Sequence, residues 1–310
     1  MNKMKKTLFP MFGMMPSINI PFAGDDSIDL DGLQKHIDNA IEAGICGFLI
    51  PVVASEVGKL TLAERNQIIE AAIEANAGRV PIVVGASAAT REDCLANVKN
   101  LLRYDLDCIL TNIPYVNEEQ YIDCVRSVAA LSPPMLMIQD FDLQGTGAPV
   151  PLLLGLYEEI DCFRCVKVET QPAGPKYTAL LEMAKNTLHV SGGWTVTQII
   201  DAWDRGVHSM CNTGLHEIYC KVHELYKKGR RDKAMLLHEK MLPILAFSNQ
   251  CVDISIYFFK HLLHRQGIYK TPKVRQPVIE YDRYFKRTGD EMIEKALNLI
   301  NEVKTGTYDK

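Results

Sequence analysis

The sequence predicts an α/β fold, a (β/α)8 or TIM barrel over residues 1–215 with a C-terminal helical region, 216–310, packed on it. Three observations carry this reading. Short apolar runs recur eight times before residue 215, stretches with helical periodicity separate them, and no strand-like run follows. The runs span 12–18, 47–53, 80–84, 108–110, 135–138, 165–168, 188–191 and 207–211. Most are apolar throughout rather than alternating, as expected of parallel strands covered on both faces.

The intervening segments have the period of helices. Leu30, Leu33, Ile37 and Ile41 fall on one face at steps of three and four. Thr61-Leu62-Ala63-Glu64 has the pattern of a capping box, with Ile68, Ile69, Ala72 and Ile73 as the inner face behind it. Thr90-Arg91-Glu92-Asp93 opens another helix, and 195–203 fits a short one. Beyond about Leu215 the chain reads as three or more helices, including 233–247, with Pro243 as a kink, and 253–266. A doubly wound open sheet is the alternative, but no G-x-G-x-x-G follows the first strand.

Bulk properties narrow the function. The 310 residues are 47% hydrophobic and 23% charged, ordinary values for a soluble chain, and can bury a large core. A net charge of -4 and a pI near 6.1 argue against a nucleic-acid partner. Lys3, Lys5 and Lys6 before 8–15 loosely imitate a signal peptide, but Pro10 and Pro16 interrupt the run and no small-residue cleavage site follows. No segment has the length and apolarity of a membrane span. Nine scattered cysteines suit buried thiols in a reducing cytoplasm. Cys162 and Cys165 form a C-x-x-C that lacks the second pair of ligands a zinc site needs. His261 and His264 read as packing residues. We therefore expect no metal and no cofactor.

Lys167 is the residue that most suggests chemistry. It stands in Cys165-Val166-Lys167-Val168-Glu169, within a strand that reads as buried, while other lysines lie on helical faces, in polar stretches or near the termini. Burying an ammonium costs several kcal/mol unless it is paired or loses its proton. A lysine with a depressed pKa is a nucleophile able to form a Schiff base with a carbonyl. The plainer alternative is a strand-end lysine that reaches solvent or pairs with Glu169. In a barrel, catalytic groups lie at the C-terminal ends of strands. That rule collects Ala54, Ser55 and Glu56 after strand 2, Tyr115 after strand 4, and Gln139 and Asp140 after strand 5. It adds Lys167 and Glu169 on strand 6, and Gly192, Gly193 and Trp194 after strand 7. Each also has a structural reading: Tyr115 as packing, Glu56 as a brace for its turn, Glu169 as an ion-pair partner, and the glycines as a tight turn.

The order and spacing of several motifs resemble the dihydrodipicolinate synthase / N-acetylneuraminate lyase family of lysine Schiff-base barrels. They are Ala43-Gly44-Ile45-Cys46-Gly47, Glu56 followed by Gly58-Lys59-Leu60-Thr61 and Glu64-Arg65, Gly78-Arg79-Val80-Pro81 leading to Gly85, Lys167, and Arg205-Gly206-Val207. The resemblance covers the whole chain and implies a small-molecule 2-keto acid substrate, an imine on Lys167, and a homotetramer or homodimer. The departures are informative. The family's Gly-Thr-Thr-Gly-Glu or Gly-Ser-Thr-Gly-Glu loop is Val52-Val53-Ala54-Ser55-Glu56 here, without the two hydroxyls that help hold the keto-acid carboxylate. Its Pro-Tyr-Tyr is Pro114-Tyr115-Val116, so the relay tyrosine is Val116. Ser55-Glu56, Gln139-Asp140 and Lys167-Val168-Glu169 resemble instead the branch that dehydrates 2-keto-3-deoxy sugar acids. The resemblance thus implies a hydro-lyase, with Lys167, Tyr115 and Ser55 catalytic and with Ala54, Glu56, Gln139, Glu169, Gly193 and Trp194 binding substrate. An aldolase or synthase similar to 4-hydroxy-tetrahydrodipicolinate synthase or N-acetylneuraminate lyase, and a keto-acid-binding barrel without turnover, are the alternatives.

Overall fold

The structure, a computed structural model, describes residue 6 and residues 8–193 and 196–309. Among the described residues, eight parallel strands alternate with helices in the order of a (β/α)8 barrel, and three more helices follow the eighth β/α unit. All eight expected strands form. The chain divides into two compact units. One is Pro81–Cys211 with the N-terminal segment through Phe12, and the other is Gly13–Val80 with Asn212–Lys310. No single helix among the described residues is long and apolar enough to cross a membrane.

In the first unit six parallel strands lie side by side in sequence order: β3 (Ile82–Gly85), β4 (Cys108–Asn112), β5 (Leu136–Asp142), β6 (Phe163–Thr170), β7 (His189–Gly192) and β8 (Ser209–Met210). Neighbours along β5 and β6, such as Met137 and Ile138 or Val166 and Lys167, point to opposite faces, yet nearly all are buried. Helices α3 (Arg91–Leu101), α4 (Glu118–Ala129), α5 (Val150–Glu159), α6 (Gly174–Met183) and α7 (Ile199–Asp204) supply the cover. Thr90 starts α3 as expected, its hydroxyl accepting from the Asp93 amide at 3.1 Å. Residue 195, where the expected short helix began, lies outside the described residues. A 3-10 turn at Val196–Gln198 leads into α7.

In the second unit β1 (Gly13–Met14) and β2 (Phe48–Leu49) are short. Their extensions run parallel, joined by Cys46 N to Met14 O at 2.8 Å and Ile18 N to Leu49 O at 3.0 Å. The run 47–53 leaves the strand early because Val53–Ser55 turns into a 3-10 helix, which puts Val53 54% exposed. Around these strands lie α1 (Leu30–Glu42), α2 (Leu62–Asn76), α8 (His216–Lys227), α9 (Arg231–Ser248), α10 (Val252–Arg265) and α11 (Arg283–Lys304). α9 runs through Pro243.

The expected capping box forms at α2. The Glu64 amide donates to Thr61 Oγ1 at 3.2 Å, and Glu64 Oε2 accepts from Thr61 N at 2.8 Å. Glu64 also takes a hydrogen bond from the Arg275 guanidinium, which pulls its carboxyl down to about 2, with the Thr61 bonds adding to the effect. A carboxyl depressed on folding stabilises above its unfolded pKa and loses that contribution as pH falls toward the folded one. Glu64→Gln is therefore expected to cost about 1 kcal/mol at pH 7 in urea titrations, a partly exposed pair being worth little more. The difference from the parent should shrink between pH 4.5 and pH 2. A constant difference over that range would remove the ion pair as its source.

Candidate active site

Lys167 lies inside β6 and is 5% exposed. Alternation along a strand places Lys167 and Glu169 on one face, and their side chains meet, Nζ to Oε2, at 3.2 Å. Strand register sets Gln139 beside Lys167, so the Gln139 side chain emerges on the same face. Its amide donates to Glu169 Oε2. Asn112 in turn donates to the Gln139 carbonyl at 3.1 Å, tying β4 to β5 at this level. On the other flank Lys167 is in register with Ser191.

Gly193 closes the cluster for a different reason from the tight turn suggested by sequence. A Cβ built there would sit 2.0 Å from Glu169 Oε1, so the glycine is needed for close approach to the carboxylate. Gly192 is confined similarly, by the Tyr177 hydroxyl and the Met210 sulfur. Trp194 lies outside the described residues.

The charge state of Lys167 differs from the simple expectation of a depressed pKa. Burial disfavours its ammonium, but the Glu169 carboxylate outweighs that penalty, and the lysine titrates above its usual range. The resting form is an ion pair, and the proton must leave before the amine can attack. Nearby Cys211, which the sequence reading did not select, has its thiol pushed up to about 12 by burial and is neutral at pH 7.

Asp140 parts company with Gln139 because adjacent strand residues face opposite ways. It pairs with Lys176 of α6 and accepts from the Ala148 amide at 2.9 Å. Lys176 also donates to the Ala148 carbonyl at 2.6 Å, so the pair clasps the loop after β5. Burial raises the Asp140 carboxyl even so. Tyr115, after β4, is 37% exposed and sets its ring edge-on to Tyr121 at 5.7 Å. Val116 beside it is 73% exposed.

The Val52–Glu56 turn belongs to the second unit. Ser55 is fully buried, and its hydroxyl donates to the Ile18 carbonyl at 2.6 Å while accepting from Val52 N at 3.1 Å. Its one proton is thus committed within the unit. The amides of Ser55 and Glu56 are bonded to Val52 O and Val53 O, at 2.9 and 3.0 Å. A carboxylate held by backbone here would meet the amides of Val53 and Ala54 instead. Glu56 takes a left-handed conformation, φ 56°, that costs a non-glycine residue energy. Its carboxylate is saturated. Lys260 pairs with Oε1, while Lys59 at 3.3 Å and the Arg275 amide at 3.0 Å engage Oε2. The bracing role fits this geometry.

Lys260 is the buried lysine that sequence reasoning passed over. It is fully buried on α10, 4.1 Å from the Phe22 ring centroid, and burial lowers it to about 8 despite Glu56. The signal was available: one lysine in the apolar run 254–263.

Comparisons with known proteins agree with this architecture. The sequence model of the dihydrodipicolinate synthetase family matches residues 10–296. An L-2-keto-3-deoxyarabonate dehydratase from Azospirillum brasilense is 25% identical, with 86% of this chain and 89% of that one covered. A 4-hydroxy-tetrahydrodipicolinate synthase from Methanococcus maripaludis is also 25% identical, over 95% of this chain and all of the other. Among solved structures, a dihydrodipicolinate synthase from Rhodopseudomonas palustris superposes with a TM-score of 0.85 at 19% identity, covering 94% of this chain and 99% of that one.

Proposed function

The chain belongs to the dihydrodipicolinate synthetase family of lyases, and from that premise we propose that it dehydrates a 2-keto-3-deoxy sugar acid through a Schiff base on Lys167. The buried Lys167–Glu169 pair, with Gln139 fixing the carboxylate, is the observation that carries the proposal. Glu169 takes the ammonium proton as substrate arrives. The free amine adds to the C2 carbonyl, water departs, and the protonated imine becomes an electron sink. A carboxylate beside the imine nitrogen then removes the C3 proton to give an enamine. The enamine expels the C4 hydroxyl as water once an acid protonates it. Glu169, now carrying the C3 proton, is one source and Tyr115 the other. Hydrolysis of the imine returns Lys167.

Dehydration is favoured over carbon–carbon cleavage for two reasons. The tyrosine that would take the C4 hydroxyl proton in an aldol cleavage is Val116 here. The dehydratase from Azospirillum brasilense is among the relatives that the chain matches over most of its length. The synthases matched at the same identity support a second reading, an aldolase or synthase using pyruvate. The enzyme is proposed to act in the cytoplasm as a homodimer or homotetramer, without metal or nicotinamide.

Product analysis separates the readings. Incubation with a 2-keto-3-deoxy pentonate or hexonate, followed by NMR, should yield a dehydrated keto-acid semialdehyde and no free pyruvate. Stoichiometric pyruvate with a sugar-derived aldehyde would make the enzyme an aldolase. Imine trapping by borohydride without multiple turnover would leave only a keto-acid-binding barrel.

A further inference from the structure

Within the second unit, a chain of buried hydrogen bonds runs from α8 to the Val52–Glu56 turn. His216, the first residue of α8, meets His36 of α1 through their Nε2 atoms at 2.9 Å. His36 Nδ1 meets the Tyr269 hydroxyl at 2.7 Å, and that hydroxyl donates to the Asn19 carbonyl at 2.6 Å. The Asn19 side chain then donates to the Ala54 carbonyl at 2.8 Å. None of these four side chains is more than 2% exposed.

The direction of donation follows from the end of the chain. Tyr269 spends its only proton on Asn19, so its oxygen must accept, and His36 carries its proton on Nδ1. His36 Nε2 is then the bare nitrogen, and His216 donates to it from its own Nε2. That leaves His216 Nδ1 as a lone pair, and among the described residues it has no partner. Burial holds both imidazoles below their usual range, His216 at about 4, so the neutral tautomers this order requires persist at pH 7.

The far end of the relay meets the turn at two adjacent residues. Ile18 accepts from the Ser55 hydroxyl, and Asn19 holds Ala54. The turn is therefore docked on the 18–19 segment, and Tyr269 fixes that segment from behind. Loss of the Tyr269 hydroxyl would strand two buried groups, the Asn19 carbonyl and the His36 N–H, and the segment would have to move or rehydrate to satisfy them.

We propose that Tyr269, His36 and His216 are positioning residues that set the Val52–Glu56 turn for binding the substrate carboxylate. The inference rests on the function proposed above, in which this turn holds the carboxylate of a 2-keto acid.

Tyr269→Phe tests it with two measurements. Hydrogen exchange of the Ser55 and Glu56 amides should speed up by about tenfold, the size expected when one buried hydrogen bond is lost. Borohydride trapping should need about tenfold more pyruvate for half-saturation, at an unchanged limiting rate. Trapping with acetaldehyde, which forms an imine but has no carboxylate, should not change. Tyr219→Phe, which removes another buried tyrosine hydroxyl outside the relay, should alter neither readout. His36→Gln, which breaks the next link, should reproduce the split.

An unchanged exchange rate overturns the proposal. Faster exchange with unchanged pyruvate half-saturation also overturns it, since the relay would then hold the turn without serving substrate. Equal losses for pyruvate and acetaldehyde would show a general structural role and overturn it too. If the parent protein traps no keto acid at all, the proposed function fails, and the exchange result alone decides whether the relay holds the turn.

Discussion

Lys167→Ala is expected to abolish borohydride trapping with pyruvate and to lower turnover by roughly 10,000-fold or more, the scale seen when a covalent nucleophile is removed. The reduced adduct in the parent protein should map to the peptide containing Lys167. The assignment is open to a direct challenge from Lys260, which burial lowers to about 8 while Lys167 is raised. A depressed pKa alone would choose Lys260. Geometry chooses Lys167, because the Lys260 amine is bound to Glu56 and to the Lys273 carbonyl at 2.9 Å and lies against Phe22. Label on the Lys260 peptide, or full activity in Lys167→Ala, would end the proposed mechanism. Lys167→Met, which keeps most of the side-chain bulk, should be equally inactive. Because the resting Lys167 is an ammonium, the parent's trapping rate should climb as pH rises and the free amine becomes more abundant.

Glu169→Gln is expected to separate imine formation from the chemistry that follows. Removing the carboxylate takes away the group that raises Lys167, and burial alone then pushes the ammonium down. The free amine should appear at lower pH than in the parent, so trapping should persist and its pH profile should shift downward. Turnover should fall roughly 100- to 10,000-fold, the usual contribution of a positioned acid–base group. If Glu169 is only the lysine's ion-pair partner, turnover will survive along with trapping. If both are lost together in a folded protein, Glu169 acts before the imine forms, and its place at C3 is wrong.

Sequence alone determined the framework. Eight apolar runs fixed the strand count because buried parallel strands need apolar residues on both faces, and that composition is local. The Thr61–Glu64 box and the Thr90 cap were legible for the same reason, since a cap is satisfied within one helical turn. The Lys167-Val168-Glu169 spacing announced two side chains on one strand face, and they form a pair.

Tertiary structure decided everything that depends on partners far away in the chain. Whether Lys167 is raised or lowered depends on how closely Glu169 approaches and on what excludes water, and only packing sets either. Gln139 and Asp140 are adjacent in sequence, yet one reaches Glu169 and the other Lys176, because the register of β5 against β6 and the position of α6 assign them different faces. Glu56 is braced by Lys260, some 204 residues away in sequence, and the hydrogen bond from Tyr269 to Asn19 closes a separation of 250. Such contacts leave no periodic trace, because each is a single polar residue whose burial is tolerable only through a partner that the fold delivers.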